Sequence, residues 1–201
     1  MPRRLGLLGG TFDPPHMGHL VAGQEAACQL GLERVLFLPA RQNPLKEGGR
    51  VSHAEDRCRM VELAIADNHR FELSRADLDR PPPSYTVDLL RALRDSHPDA
   101  ELFFLVGADI LPELPRWHAP LEVLHLATLV AVNRPGSPDP DIAVIDRALP
   151  GAAARILVLP IPGLAISATD LRARARQGRS LRYLTPAPVA AYIRAHHLYL
   201  D

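Results

Sequence analysis

Cysteine and net charge are scarce in this chain of 201 residues. Cys28 and Cys58 are too few for a disulfide framework, and we expect both to be small buried side chains in a reducing compartment. Basic and acidic residues both number 23, so no overall charge attracts a nucleic acid polymer or an anionic membrane. No apolar run is long enough to cross a bilayer. These absences predict a cytoplasmic protein that holds any anionic ligand with local groups.

Familiar nucleotide-binding signatures are absent as well. The chain has neither the P-loop pattern Gly-x-x-x-x-Gly-Lys-Ser/Thr nor the dinucleotide fingerprint Gly-x-Gly-x-x-Gly. No Ser/His/Asp or Cys/His arrangement indicates a nucleophilic triad. The close pair His16 and His19 has no third ligand nearby, which argues against a zinc site. Any nucleotide must therefore be bound in another way.

Short apolar runs alternate with longer amphipathic stretches along the chain. This pattern predicts one α/β domain over residues 1–201: a Rossmann-like doubly wound parallel sheet with helices on both faces. A C-terminal helical part, about residues 167–201, is expected to pack on the sheet. The predicted strands are residues 5–8, 34–38, 71–73, 102–106, 128–132 and 156–159.

Capping patterns predict where the helices lie. The first helix should span residues 17–30 and end at Gly31. Residues 39–52 and 133–152 are expected to be long surface loops, the usual place for substrate contacts. Further helices should begin after Ser52 (with Glu55 completing a capping box), near Ser84, after Asp109, after Ser167, and at Pro186 with Thr185 as its cap.

The turn after the first predicted strand carries the strongest functional pattern. Paired glycines let a ligand approach the backbone without a Cβ in the way, and the following helix start offers free N–H groups and partial positive charge. His16 and His19, three positions apart on one helix face, add imidazole donors. The pattern indicates a polyphosphate site that also includes the preceding residues Gly9, Gly10, Thr11 and Phe12.

Two other strand-to-helix junctions supply candidates for the same crevice. Ser167 is an expected helix cap, and Thr169 and Arg172 follow it on one face, where Arg172 can present its donors to phosphate oxygens. Gly107 closes a strand and leaves room for a nucleobase or ribose. Asp109 either accepts a ribose hydroxyl or caps the next helix, and the sequence does not separate these roles.

Residues 9–19, GGTFDPPHMGH, resemble the signature of the adenylyltransferase/cytidylyltransferase superfamily, which pairs His-x-Gly-His with a later Ser/Thr-x-x-Arg. Within it, the chain resembles the bacterial nicotinate mononucleotide adenylyltransferases over nearly its whole length. The chain departs from that family's pattern at Ala168, where a serine is usual, and at Leu45, where a histidine is usual. The other matching pieces are residues 83–87 (PSYTV), 104–109 (FLVGAD) with Trp117, 133–136 (NRPG), 166–172 (ISATDLR) and 183–193.

The resemblance implies a reaction and a role for each candidate. The 5′-phosphate of nicotinate mononucleotide would attack the α-phosphorus of ATP, with Mg²⁺ carried by the ATP phosphates and no metal ligand from the protein. His16, His19 and Arg172 would be catalytic, and Trp117 would stack on the nicotinate ring. ATP would be bound by Gly9, Gly10, Thr11, Phe12, Gly107, Asp109, Ser167 and Thr169, and the mononucleotide by Lys46, Tyr85, Thr86, Trp117 and Arg134.

Two alternative functions stay open at this point. One is an adenylyltransferase of the same superfamily with another acceptor, such as pantetheine phosphate. The other is a non-catalytic nucleotide sensor that keeps the crevice, which the presence of both histidines and Arg172 disfavours. The sequence decides neither between nicotinate and nicotinamide forms of the acceptor nor whether the chain forms a homo-oligomer.

Overall fold

A computed structural model describes residues 3–41, 51–133 and 139–200 and shows a six-stranded sheet. All neighbouring strands are parallel, in the order β3-β2-β1-β4-β5-β6. The chain builds outward from β1, then returns to β4 beside it, so the order reverses between β1 and β4, where such sheets bind ligands. The strands are β1 (Arg3–Gly10), β2 (Arg34–Pro39), β3 (Phe71–Leu73), β4 (Ala100–Gly107), β5 (Thr128–Asn133) and β6 (Ile156–Pro160).

The six predicted strands are all confirmed, and helices connect them. None of the helices in these described ranges combines the length and apolar character that a membrane crossing requires. Two 3-10 helices span Ala108–Arg116 and Ala152–Arg155. The α-helices are α1 (Met17–Gln29), α2 (Ala54–Ile65), α3 (Thr86–Ser96), α4 (Pro120–Leu126), α5 (Ile142–Ala148), α6 (Ala168–Arg176) and α7 (Ala187–Ala195).

The side chains of the strands alternate between two apolar layers, one on each face of the sheet. Leu7 and Phe104 belong to the layer formed with α3, α4 and α5. Leu8 and Leu105 belong to the opposite layer, formed with α1, α2, α6 and α7. Leu171 of α6 is completely buried in that second layer. The predicted sheet with helices on both faces is therefore confirmed.

Three predicted helix starts differ from the structure. His53, and not Ser52, precedes α2, and no side-chain cap is formed there. The Ser52 N–H instead donates to the carboxylate of Asp13. The segment after Gly107 is a 3-10 helix because Pro112 and Pro115 lack the N–H groups that a regular α-helix would use.

The start of α7 also differs, and Thr185 is bonded to the histidine turn. Its hydroxyl donates to the carbonyl of Pro15 at 2.7 Å, and the helix begins at Ala187, after Pro186. At α6, by contrast, Ser167 Oγ accepts from the N–H of Asp170 at 3.1 Å, so this predicted cap is confirmed. The φ of +60° at Gly31 also confirms the left-handed end of α1.

Two short helices were not expected from the sequence. Helix α5 lies inside the predicted loop 133–152, and α4 follows the first 3-10 helix. Each has seven residues, which is too short to show a clear helical period of apolar residues. The sequence feature that could have predicted α5 is its N-cap residue, because the Asp141 carboxylate accepts from the N–H of Val144. Cys58 is buried as expected, but Cys28 is exposed on α1.

Candidate active site

A cavity of about 360 Å³ opens at the carboxyl edge of the sheet, on the face covered by α3. Its floor comes from the ends of β1 and β4, where the chain order reverses, so its position follows from the topology. The predicted site residues that line it are Gly9, Gly10, Thr11, Tyr85, Thr86, Gly107 and Trp117.

The start of α3 gives the cavity a site for an anion. Tyr85 precedes the helix and Thr86 is its first residue. The first-turn N–H groups of a helix have no partner within it, and its dipole places partial positive charge at the same point. The Tyr85 ring is stacked on His118, with 4.3 Å between ring centroids, which holds this wall in place. A carboxylate on a bound ligand would be stabilised here.

Trp117 supplies an aromatic wall. Its indole meets the edge of Phe104, a cavity-lining ring, with the centroids 6.3 Å apart and the planes at 80°. Trp117 Nε1 and Ser84 Oγ are buried, and neither has a hydrogen-bond partner within residues 3–41, 51–133 and 139–200. A half-buried indole at a cavity wall is suited to stacking against a planar ring.

The two histidines lie on the other side of the sheet edge, at the start of α1. The His16 N–H donates to Nδ1 of His19 at 3.1 Å, and the two rings are stacked with 3.7 Å between centroids. With Nδ1 accepting, a neutral His19 carries its proton on Nε2. The Phe12 ring packs against His19 at 4.9 Å and is itself buried. The predicted pairing of the histidines is therefore present, and Phe12 can offer a ligand only its backbone.

Gly18 is required by the histidine pair itself. A Cβ at this position would lie 3.1 Å from Nδ1 and Cε1 of the His16 ring. His16 is only 4% exposed, so its ring has little freedom to move aside. The glycine in His-x-Gly-His therefore makes room for the first imidazole.

Arg172 joins the first motif to the last. Its Nη1 donates to the carbonyl of Asp13 at 2.7 Å, and its Nη2 donates to Thr169 Oγ1 at 3.3 Å. Asp13 lies between Phe12 and the histidines, so residues 159 positions apart meet at one end of α1. The expected convergence of Thr169 and Arg172 on the histidine turn is what the structure shows.

Gly107 and Asp109 are in direct contact. A Cβ on Gly107 would lie 2.2 Å from Oδ1 of Asp109, so a larger residue there would turn this exposed carboxylate aside. Gly107 precedes the 3-10 helix, and no side chain caps it. The capping alternative for Asp109 is therefore wrong, and an exposed carboxylate remains beside the end of β4.

Sequence reasoning missed Arg57, which holds the turn after β1. This α2 side chain is 2% exposed. Its Nη1 donates to the carbonyls of Thr11 at 2.9 Å and Ala40 at 2.8 Å, and its Nε to Ser52 at 3.2 Å. Burial lowers the pKa of Arg57, and the charge of Asp13 opposes that shift. The sequence feature that could have indicated its burial is its position on the apolar face of α2, which also includes Met60, Val61 and Ala64.

Two candidates cannot be placed. Lys46 and Arg134 lie outside the described residues, as does the family departure at Leu45. Within the described ranges, no group of three or more His, Cys, Asp or Glu side chains could hold a metal ion.

The sheet order and the histidine–arginine site define a nucleotidyltransferase fold, and the chain belongs to the cytidylyltransferase-like family, whose profile matches residues 7–174. A curated relative from Symbiobacterium thermophilum, named probable nicotinate-nucleotide adenylyltransferase, is 47% identical and covers 98% of this chain and 95% of its own. A relative of the same name from Roseiflexus castenholzii is 46% identical, with 98% of each chain covered.

Solved structures show the same fold. The nicotinic acid mononucleotide adenylyltransferase of Plasmodium falciparum, complexed with NaAD, matches with a TM-score of 0.78 over 98% of this chain and 97% of its own. Its complex with APC matches with a TM-score of 0.77 over the same shares. Each is 18% identical to this chain, so this comparison bears on the fold alone.

Arg57→Met tests the role of the buried guanidinium. We expect the free energy of unfolding to fall by about 2–4 kcal/mol, because three carbonyls lose a buried charged donor. Arg59→Met is the matched control on the same helix, since Arg59 is exposed and pairs with Glu62, and its loss should cost less than about 0.5 kcal/mol. Urea denaturation measures both. Equal losses would show that Arg57 does not hold the turn.

Proposed function

We propose that this protein transfers the adenylyl group of ATP to nicotinate mononucleotide, forming nicotinate adenine dinucleotide and pyrophosphate for NAD biosynthesis. One observation carries the proposal. Gly9, Gly10 and Thr11 line the cavity beside Trp117 and then lead directly into the histidine turn on the opposite face of the sheet. Two ligands bound on opposite faces would meet over these residues. The names of the curated relatives support the same reaction.

The α3 face suits the mononucleotide. The positive start of α3, at Tyr85 and Thr86, would receive the nicotinate carboxylate, and Trp117 would stack on its ring. This arrangement favours the acid over the amide, because an amide carries no charge for the helix dipole to stabilise. Lys46 and Arg134 remain candidates for contacts to the same ligand.

The opposite face suits ATP. The start of α1, the imidazoles of His16 and His19, and the guanidinium of Arg172 would bind the triphosphate, with Ser167 and Thr169 at the start of α6 beside them. The sugar and base would extend toward Gly107, with Asp109 accepting a ribose hydroxyl.

The chemistry needs no covalent intermediate on the enzyme. An oxygen of the mononucleotide phosphate attacks the α-phosphorus, and the bond from that phosphorus to the bridging oxygen breaks, so that its electron pair leaves with pyrophosphate. The protein aligns the two phosphates across the glycines and stabilises charge on the leaving group through His19 and Arg172. Mg²⁺ would arrive on the ATP phosphates and neutralise part of the same charge.

The proposal also covers the domain organisation and the cellular location of the protein. Residues 1–201 would act as one catalytic domain, since α6 and α7 share an apolar layer with α1, α2 and the sheet. The use of ATP places the reaction in the cytoplasm.

Turnover with three acceptors tests the proposed function. Purified protein with ATP and Mg²⁺ should release pyrophosphate and form nicotinate adenine dinucleotide from nicotinate mononucleotide, and should react more slowly with nicotinamide mononucleotide. Product from pantetheine phosphate alone would assign another acceptor. ATP binding without pyrophosphate release from any acceptor would instead indicate a nucleotide sensor.

His19→Ala tests the phosphate-binding half. We expect kcat to fall by about 100- to 1000-fold with the fold intact, because the imidazole stabilises charge that develops in the transition state. His69→Ala, at an exposed turn residue, should leave kcat unchanged. Steady-state rates and circular dichroism measure both effects. A near-normal rate for His19→Ala would exclude the assigned role.

Trp117→Ala tests the mononucleotide half. The KM for nicotinate mononucleotide should rise about tenfold or more, because ring stacking is lost, while the KM for ATP stays near its wild-type value. Initial rates with each substrate varied in turn separate the two constants. If neither KM changes, Trp117 is only a packing residue for Phe104.

A further inference from the structure

The C-terminal region holds the turn between β1 and α1 at three successive points. The hydroxyl of Tyr199 donates to Asp13 Oδ1 at 2.7 Å. Thr185 binds the carbonyl of Pro15, and the N–H of Met17 donates to the carbonyl of Leu184 at 3.0 Å. The turn that presents the two histidines is therefore shaped by residues 170 and 186 positions away in the sequence, among others.

Asp13 is the centre of these contacts. Its side chain is 2% exposed, and its two carboxylate oxygens accept from different segments: Oδ1 from Tyr199 and Oδ2 from the Ser52 N–H at 3.1 Å. Its backbone carbonyl accepts from Arg172 Nη1. A shift of Asp13 would therefore move the acceptor that orients the Arg172 guanidinium.

Tyr199 is held in an unfavourable backbone conformation to make its contact. Its φ is +66°, in the left-handed region that residues with a bulky side chain rarely adopt. Burial, followed by the nearby charge of Asp13, raises the pKa of Tyr199, so the hydroxyl keeps the proton that it donates. The contact therefore joins a neutral hydroxyl donor to the buried Asp13 side chain.

We propose that Tyr199 is a positioning residue for the phosphate-binding half of the site. Its hydroxyl fixes the Asp13 carboxylate, Asp13 fixes its own backbone carbonyl, and that carbonyl orients Arg172 toward the ATP phosphates. Tyr199 touches neither substrate in this arrangement. The proposal rests on the adenylyltransferase activity proposed above, and it adds a residue that lies outside all of the recognised motifs.

The chain offers a matched control for this role in Tyr192. Its hydroxyl donates to Asp56 Oδ1 at 2.8 Å, joining α7 to the first turn of α2. Tyr192→Phe therefore removes the same kind of hydrogen bond from the same C-terminal region. Asp56 lies in the first turn of α2, whereas Asp13 lies in the turn whose carbonyl accepts from Arg172, so the two variants remove a hydrogen bond from carboxylates at different places.

Tyr199→Phe and Tyr192→Phe are compared in the full chain, after wild-type turnover with ATP and nicotinate mononucleotide is established. Tyr199→Phe should lower kcat about tenfold, because misorientation of Arg172 affects the transition state, and should change the KM for nicotinate mononucleotide less than about twofold. Tyr192→Phe should retain both wild-type constants. Equal kcat values for the two variants would overturn the proposal, whereas an inactive wild-type protein would refute the proposed function instead.

A double variant tests whether Tyr199 acts through Arg172. In an Arg172→Lys background, Tyr199→Phe should lower kcat less than about twofold, because the group that it positions has already been changed. A full tenfold loss in that background would show an independent effect and would contradict the proposal. Urea midpoints of the single variants separate positioning from general loss of stability, because a variant that is fully folded under the assay conditions loses kcat only through the site.

Discussion

The buried guanidinium of Arg57 satisfies carbonyl oxygens that the turn after β1 cannot satisfy within itself. Residues between a strand and a helix have no regular hydrogen-bond partners, and a buried carbonyl without a donor is costly. Here the carbonyls of Thr11 and Asp13 accept from Arg57 and Arg172, which come from α2 and α6. Phe12, between them, holds a φ of +50°, which its buried ring and these bonds sustain. The geometry of the histidine turn depends on this arrangement.

The sheet separates the two proposed ligands and also joins them. Side chains alternate strictly between its faces, so Phe104 and Trp117 belong to the layer of α3 while the histidines lie at the start of α1 on the other face. Only at the carboxyl edge, over Gly9 and Gly10, do the two faces meet. The proposed reaction would take place at this edge, where both proposed ligands could approach the backbone.

The predictable part of the site consists of residues whose patterns are local. Gly9, Gly10, His16 and His19 lie within one short segment, and the Ser167 cap acts over three residues. Arg57 was missed because its three partners come from three separate segments, although its place on an apolar helix face was visible. Tyr199 gave no local signal at all, since its partner Asp13 is 186 positions away.

By itself the sequence determined the six parallel strands, the faces of the main helices and the three strand-to-helix junctions, because periodicity and capping act between near neighbours in the chain. Tertiary structure alone decided that α2 begins at Ala54 and α7 at Ala187. Just before each of these helices, the Ser52 N–H and the Thr185 hydroxyl donate to the distant turn at Asp13–Pro15, and these bonds fix the local backbone. A buried acceptor without a donor is costly, and no short window of sequence contains both partners.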